Sequence, residues 1–197
     1  MTLYWQDIRQ ITEAELLAWL SQMSPQRRQE ISRRQEADRR RTAAGEHLAR
    51  QAVAACRGMP ESEVVFQRTK KGKPYVDGGP FFSISHSADW VLCAVDKAPI
   101  GADVQIFRPV DARLVRRICV PEELAFVEGG TPLPERLTEA AALERFFSLW
   151  TAKEAWCKYT GAGLSGLADI NTLACHDGFS FVRFRRENYA VAVCGEK

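Results

Sequence analysis

Apolar residues recur along the chain in two rhythms, one near 3.6 residues and one of two, and their order predicts a mixed α+β fold. Thr12-Glu13-Ala14-Glu15 has capping-box form, and Leu16, Leu17, Trp19 and Leu20 behind it predict a short amphipathic helix. Ser24-Pro25 opens a second helical stretch, with Pro at the first helical position. That stretch is arginine-rich to about Arg41, turns apolar through Leu48, Ala52, Val53 and Cys56, and stops near Gly58-Met59-Pro60. Val64-Val65-Phe66 reads as a strand, and the segment from Thr69 to Pro74 as a basic turn. FFSISHS (81–87) and WVLCAV (90–95) predict an antiparallel pair, with IGADVQI (100–106) a third strand after the turn Lys97-Ala98-Pro99.

The second half repeats this order loosely. Pro121-Glu122-Glu123 starts a short helix that Gly129-Gly130-Thr131-Pro132 breaks, and a longer helix is predicted from about Pro134 to Tyr159. Gly161 or Gly163 supplies its stop. Residues 179–184 and 189–194 then predict a closing hairpin. The halves end alike, in WVLCAVDKAPIGADV and YAVAVCGEK, which points to two similar α+β halves, 1–104 and 105–197, with a cleft between them.

Composition narrows the class. A chain of 197 residues, 46% hydrophobic and 26% charged, is that of a soluble globular protein. No apolar run reaches the roughly 18 residues of a membrane span, and MTLYWQDIRQ lacks the regions of a secretory signal. The six cysteines (56, 93, 119, 157, 175, 194) form no CxxC pair and mostly sit in apolar patterns. Reduced, buried thiols in a cytoplasmic protein are expected, not disulfides or a zinc site.

The net charge of +2 conceals an asymmetry. Residues 27–57 hold nine arginines and four acids, so that segment carries +5 and the remainder −3. A local basic patch on a near-neutral chain points to a phosphorylated small molecule before nucleic acid, whose binders are usually basic throughout.

Candidate chemistry concentrates in four places. In FFSLWTAKEAWCKYTGAGL (146–164), Trp150, Glu154 and Lys158 share a helix face at i, i+4 and i+8, with Lys153 beside them. This is either an ordinary surface ion pair or a carboxylate for a metal flanked by ammonium groups for phosphate. Lys70, Lys71 and Lys73 surround Gly72 in a turn able to grip phosphate, although such tetrapeptides are usually solvated. Ser83, Ser85, His86 and Ser87 bring hydroxyls and an imidazole to a strand end, where a lone histidine is commonly structural. Asp103 lies in an apolar strand, where a buried carboxylate needs a metal, a base or backbone donors. A serine-hydrolase elbow, a Walker A loop and a dinucleotide fingerprint are all missing from the sequence.

Taken in order, GKP (72–74), FSISHS (82–87), GADVQ (101–105) and LWTAKEAWCKYTGAGL (149–164) resemble the motifs of the 4′-phosphopantetheinyl transferases, in their larger single-chain, surfactin-synthetase-type branch. SPQRR and ADRRRTAAGEHLAR add weaker likeness near the N-terminus. The resemblance implies two subdomains related by a pseudo-twofold axis, each a small antiparallel sheet packed on a long helix, with the active site in the cleft between them. It implies a monomer without nucleic acid or membrane partners. The implied reaction moves the phosphopantetheine arm of coenzyme A onto a serine of an acyl or peptidyl carrier protein, with magnesium or manganese, and releases adenosine 3′,5′-bisphosphate.

The family's site residues carry over by motif. Asp103 and Glu154 match the metal-binding carboxylates, with Gln105 at a third metal position. Glu154, directly or through a metal-bound water, is also the candidate general base, and Lys158 matches the lysine on the diphosphate. Lys153 precedes Glu154 as in the motif. Ser85 and His86 match positions around the phosphates, Lys73 and Pro74 the turn bordering the adenine and 3′-phosphate, and Arg27, Arg41 and Thr42 contacts to the nucleotide end. The pattern usually has an acid where this chain has Gln105, which implies weaker magnesium binding. It also opens the alternative of a degenerate protein that holds coenzyme A or a carrier without transferring anything. A nucleic-acid binder built on the arginine helix is the third reading.

Overall fold

A computed structural model describes residues 1–69, 72–163 and 166–197 and divides the chain into two units, Met1–Pro99 and Ile100–Lys197. The division leaves residues 100–106 whole, whereas a break after residue 104 would cut a strand.

In the first unit the elements are β1 (Thr2–Asp7), α1 (Glu13–Ser21), α2 (Pro25–Ser32), α3 (Glu36–Arg57), β2 (Gln67–Arg68), β3 (Pro74–Tyr75), β4 (Phe81–Ser87) and β5 (Trp90–Asp96). The capping box forms: Glu15 N donates to Thr12 Oγ1 (3.2 Å) and Thr12 N to the Glu15 carboxylate (2.8 Å). Strands pair antiparallel in the order β1-β5-β4, and α3 packs on them through Ala44, Leu48, Ala52 and Val53 against Phe82, Val91, Cys93 and Val95.

Three local expectations change here. The second helical stretch is two helices, broken at residues 33–35. No glycine or proline marks the break; it turns the chain so that Arg27 of α2 reaches Glu46 of α3 (2.6 Å). Val64–Phe66 is not a strand, because its backbone is engaged elsewhere: Arg50 donates to the carbonyls of Val64 (2.5 Å) and Glu61 (3.1 Å). Thr2–Asp7, unassigned above, is a strand in register with β5, Tyr4 opposite Cys93.

The second unit contains β6 (Ile100–Ile106), β7 (Val110–Asp111), α4 (Ala112–Ile118), α5 (Pro121–Glu128), β8 (Arg136–Leu137), α6 (Ala140–Thr160), β9 (Phe179–Arg186) and β10 (Tyr189–Glu196). β6 does not extend the β4–β5 pair. It joins β10, with Asp103 opposite Ala192, in the antiparallel order β6-β10-β9. α6 begins at Ala140, later than Pro134: Glu139 caps it, accepting from Ala141 N (2.8 Å) and Ala142 N (2.7 Å), while Arg136–Leu137 pair with β7. The helix ends at Gly161 in the left-handed conformation.

Small residues bring α6 close to its sheet, with Ala152 and Ala155 packed against Ala192 and Cys194. At Gly101 the approach is backbone on backbone: a Cβ there would lie 2.0 Å from Ala155 O and 2.4 Å from Tyr159 N. No side-chain rotation relieves such a clash, so Gly101→Ala is expected to destabilise the protein by about 2–3 kcal/mol. Urea unfolding measures this, and a change below about 0.5 kcal/mol, within the range of neutral surface substitutions, would contradict it.

All six cysteines are free thiols; Cys93, Cys157 and Cys194 are buried, while Cys56 and Cys175 are exposed. Burial pushes the Cys93 thiol up to about 12, so it stays protonated. Among the described residues, no helix is long and apolar enough to cross a membrane.

Candidate active site

Strand periodicity places Gly101, Asp103 and Gln105 on one face of β6, the face on which α6 lies at Gly101. Helical periodicity places Glu154 and Lys158 one turn apart on α6. The two elements meet where Lys158 Nζ donates to Asp103 Oδ1 (2.7 Å) and to the carbonyl of Ala102 (3.0 Å). Asp103 is buried, whereas the Lys158 side chain retains 27% of its exposure.

Glu154 is the electrostatic centre of this group. Burial, and then the charge of Asp103, push its carboxyl up to about 7, while Lys158 pulls the other way. One ammonium therefore does not neutralise two carboxylates. The donors are all oxygen, two carboxylates with the Gln105 amide on the same strand face, which suits a small, hard divalent cation. Among the described residues no cluster of three His, Cys, Asp or Glu side chains gathers for a metal, so the set has no third acid.

Lys153 is not part of this face, and the expectation that it flanks Glu154 toward phosphate is corrected. One residue along a helix is a rotation of about 100°, which here turns Lys153 into the core. It is fully buried, with Nζ 2.7 Å from Glu123 Oε2 and donating to Ile170 O (2.5 Å). Glu123 also accepts from Thr172 N and Thr172 Oγ1 (both 2.8 Å) through its other oxygen. This lysine joins α6 to α5 and to the segment before β9. Glu123 was read above only as part of a helix start, because a partner thirty residues away leaves no local trace.

The first unit carries the remaining predicted residues. Arg41, on α3, donates to the carbonyl of Ala88 in the β4–β5 turn (3.0 Å), and neighbouring Thr42 bonds to Asp38 O (2.7 Å). Ser85 is buried and His86 exposed, on opposite faces of β4, so the two do not present a common face to a ligand. Lys73 follows Gly72 in a tight turn: Thr69 N donates to Lys73 O (2.9 Å) and Lys73 N to Thr69 Oγ1 (3.1 Å). Pro74 pairs with Arg68 across the β2–β3 ladder. Arg27 is engaged within the protein, by Glu46 (2.6 Å) and Glu30 (2.9 Å). Lys70 and Lys71 of the basic turn, and Leu164 of the last motif, lie outside the described residues.

Comparison with known proteins matches both units. Residues 99–197 match the family model described as the 4′-phosphopantetheinyl transferase superfamily, and residues 8–98 one described as 4′-phosphopantetheinyl transferase, N-terminal. The chain is 34% identical over 151 residues to the 4′-phosphopantetheinyl transferase psf-1 of Bacillus pumilus, covering 74% of this chain and 61% of that protein. It is 29% identical over 171 residues to the 4′-phosphopantetheinyl transferase Sfp of Bacillus subtilis strain 168, covering 85% and 73%. To the 4′-phosphopantetheinyl transferase HetI of Nostoc it is 32% identical over 140 residues, covering 67% and 56%. The matched regions thus span 61% of the psf-1 protein and 55% of a second Bacillus subtilis relative.

Proposed function

The chain belongs to the 4′-phosphopantetheinyl transferase superfamily, and on that premise we propose that it transfers phosphopantetheine from coenzyme A to a serine of an acyl or peptidyl carrier protein. The observation that carries this reading is the junction of β6 and α6, where Lys158 Nζ meets Asp103 Oδ1 (2.7 Å) one helical turn from Glu154.

In this reading Asp103, Glu154 and the Gln105 amide would hold magnesium. The bound ion would stabilise charge on the diphosphate as adenosine 3′,5′-bisphosphate departs. Glu154 accepts the proton of the carrier serine as that oxygen attacks the β-phosphorus. The bond from phosphorus to the bisphosphate breaks, and its electron pair leaves with the nucleotide. Lys158, fixed by Asp103 and the Ala102 carbonyl, presents its ammonium to the diphosphate oxygens without reorganising. Arg41, Thr42, His86 and Lys73 serve the nucleotide end. The proposal includes the pseudo-twofold repeat of the resemblance. What supports the repeat is that each unit packs one long helix on a three-stranded antiparallel sheet. Free thiols accord with a cytoplasmic setting.

Incubation with coenzyme A, magnesium and an apo carrier protein, read by intact mass, tests the proposal. The carrier is expected to gain one phosphopantetheine. Coenzyme A binding without modification of any of several carriers would favour the degenerate binder that Gln105 motivates. Gln105 contributes an oxygen without charge, so Gln105→Glu is expected to tighten apparent magnesium affinity by about tenfold, the scale of one added electrostatic contact of roughly 1.4 kcal/mol. A titration of activity against magnesium checks this, and an unchanged midpoint removes Gln105 from the metal set.

A further inference from the structure

Outside the Asp103–Glu154 group, the first unit contains a carboxylate with an unusual load. Glu46, in the middle of α3, is 7% exposed. Its Oε1 accepts from Arg27 Nε of α2 (2.6 Å) and from Arg68 Nη2 of β2 (2.5 Å). We infer that Glu46 is a positioning residue for the nucleotide end of coenzyme A, acting through Arg68 on the turn that carries Lys73 and directly on Arg27. The inference rests on the proposed function, since Lys73 and Arg27 have a task only if coenzyme A binds.

The geometry supports it at each link. α3 is anchored in the core of its unit by Ala43, Ala44, Leu48 and Ala49 around Glu46, so the carboxylate sits on a rigid frame. Arg68 spans from that frame to the turn: one guanidinium nitrogen meets Glu46, and the other donates to Gly72 O (3.0 Å), one residue before Lys73. The ladder that would otherwise hold this hairpin is two residues per strand, Gln67–Arg68 against Pro74–Tyr75. So short a hairpin is marginal by itself. Arg57 ties α3 to the chain just after β3, and Phe66 and Val76 pack on the core, while at the Gly72 end of the hairpin Arg68 provides the link to Glu46 of α3. Two guanidinium groups converging on one oxygen also repel each other, and the Glu46 carboxylate offsets that repulsion.

Positioning and simple electrostatics predict opposite signs for the same substitution. Glu46→Gln removes a negative charge from a region that would receive phosphate, so an effect of charge alone would tighten coenzyme A. Loss of positioning would weaken it. The experiment measures transfer kinetics, and calorimetric binding of coenzyme A and dephospho-coenzyme A, for the unmodified chain, Glu46→Gln, Arg68→Gln and the double variant.

Glu46→Gln is expected to raise KM for coenzyme A about tenfold with kcat within about threefold, the pattern of a lost binding contact away from the reacting centre. The preference for coenzyme A over dephospho-coenzyme A should shrink in parallel, which a general loss of stability would not cause. Arg68→Gln, at a more exposed position, should reproduce the effect, and the double variant should be no worse than the poorer single, since the two act as one unit. An unchanged or lower KM in folded Glu46→Gln, or additive losses in the double variant, would overturn the inference. If Glu46→Gln does not fold, Arg68→Gln decides alone. An unmodified chain that neither binds coenzyme A nor modifies a carrier removes the function itself, and so the two failures are told apart.

Discussion

Glu154→Gln is expected to lower kcat/KM by about 10²–10⁴, the usual contribution of a general base, and at the same time to raise stability in metal-free buffer at pH 8. The stability effect follows from the burial of the carboxylate. Burial and the Asp103 charge hold the Glu154 carboxyl near 7, against an ordinary value of 4.5. Between those values the folded protein binds a proton that the unfolded chain has released, so the contribution of this group to stability falls as pH rises. It is fully present below about 4.5 and is lost by the time pH passes about 7. A neutral amide of the same shape pays no such cost at high pH.

The comparison to make is thermal unfolding of the parent and Glu154→Gln from pH 5 to pH 8 without divalent cations. The parent should lose stability relative to the variant as pH rises, and the two curves should converge at low pH. Magnesium competes with the proton for this carboxylate, so apparent metal affinity should fall by up to about tenfold per pH unit below 7. A Glu154→Gln enzyme within about tenfold of the parent would exclude Glu154 as the base.

Lys153→Met should cost about 3–5 kcal/mol, because it strands the Glu123 carboxylate in a fully buried position. Glu123→Gln should cost a similar amount, because it leaves the Lys153 ammonium buried without its counter-charge and turns an amide NH2 toward Val120 N and Lys153 Nζ. The double variant Glu123→Leu, Lys153→Met should recover part of the loss, as apolar replacements of buried pairs commonly do. Denaturant unfolding gives all three values. Kinetics separates the structural role from a ligand contact: below its melting temperature Lys153→Met should keep the parent KM for coenzyme A. A raised KM with unaltered stability would return Lys153 to the phosphate side.

These two neighbours in sequence show what the chain made legible. The repeat of Trp150, Glu154 and Lys158 at helical spacing was readable, and Glu154 and Lys158 do stand at the β6 junction. The sequence reading sets Lys153 beside that face, but a helix turns adjacent residues about 100° apart. Its actual partner, Glu123, is distant along the chain and lies in a helix whose start signal was all the sequence displayed. The glycine stops at Gly58, Gly129 and Gly161 were legible because they need the left-handed conformation that each adopts. The break between α2 and α3 was not, for it is enforced by the packing of Ile31 and the ion pair of Arg27 with Glu46 rather than by any local breaker. The same holds for β1, whose partner strand begins more than eighty residues later.

The backbone contact at Gly101 has a consequence for how this site can change over time. Because the approach at Gly101 is backbone on backbone, with small side chains packed beside it, the span from the Asp103 strand to the Lys158 helix is set apart from the polar side chains of the site. If the proposed ligand set holds, its side chains are exchangeable parts on that frame: glutamine stands at 105 while Asp103 keeps its lysine, and metal preference would change by single substitutions there.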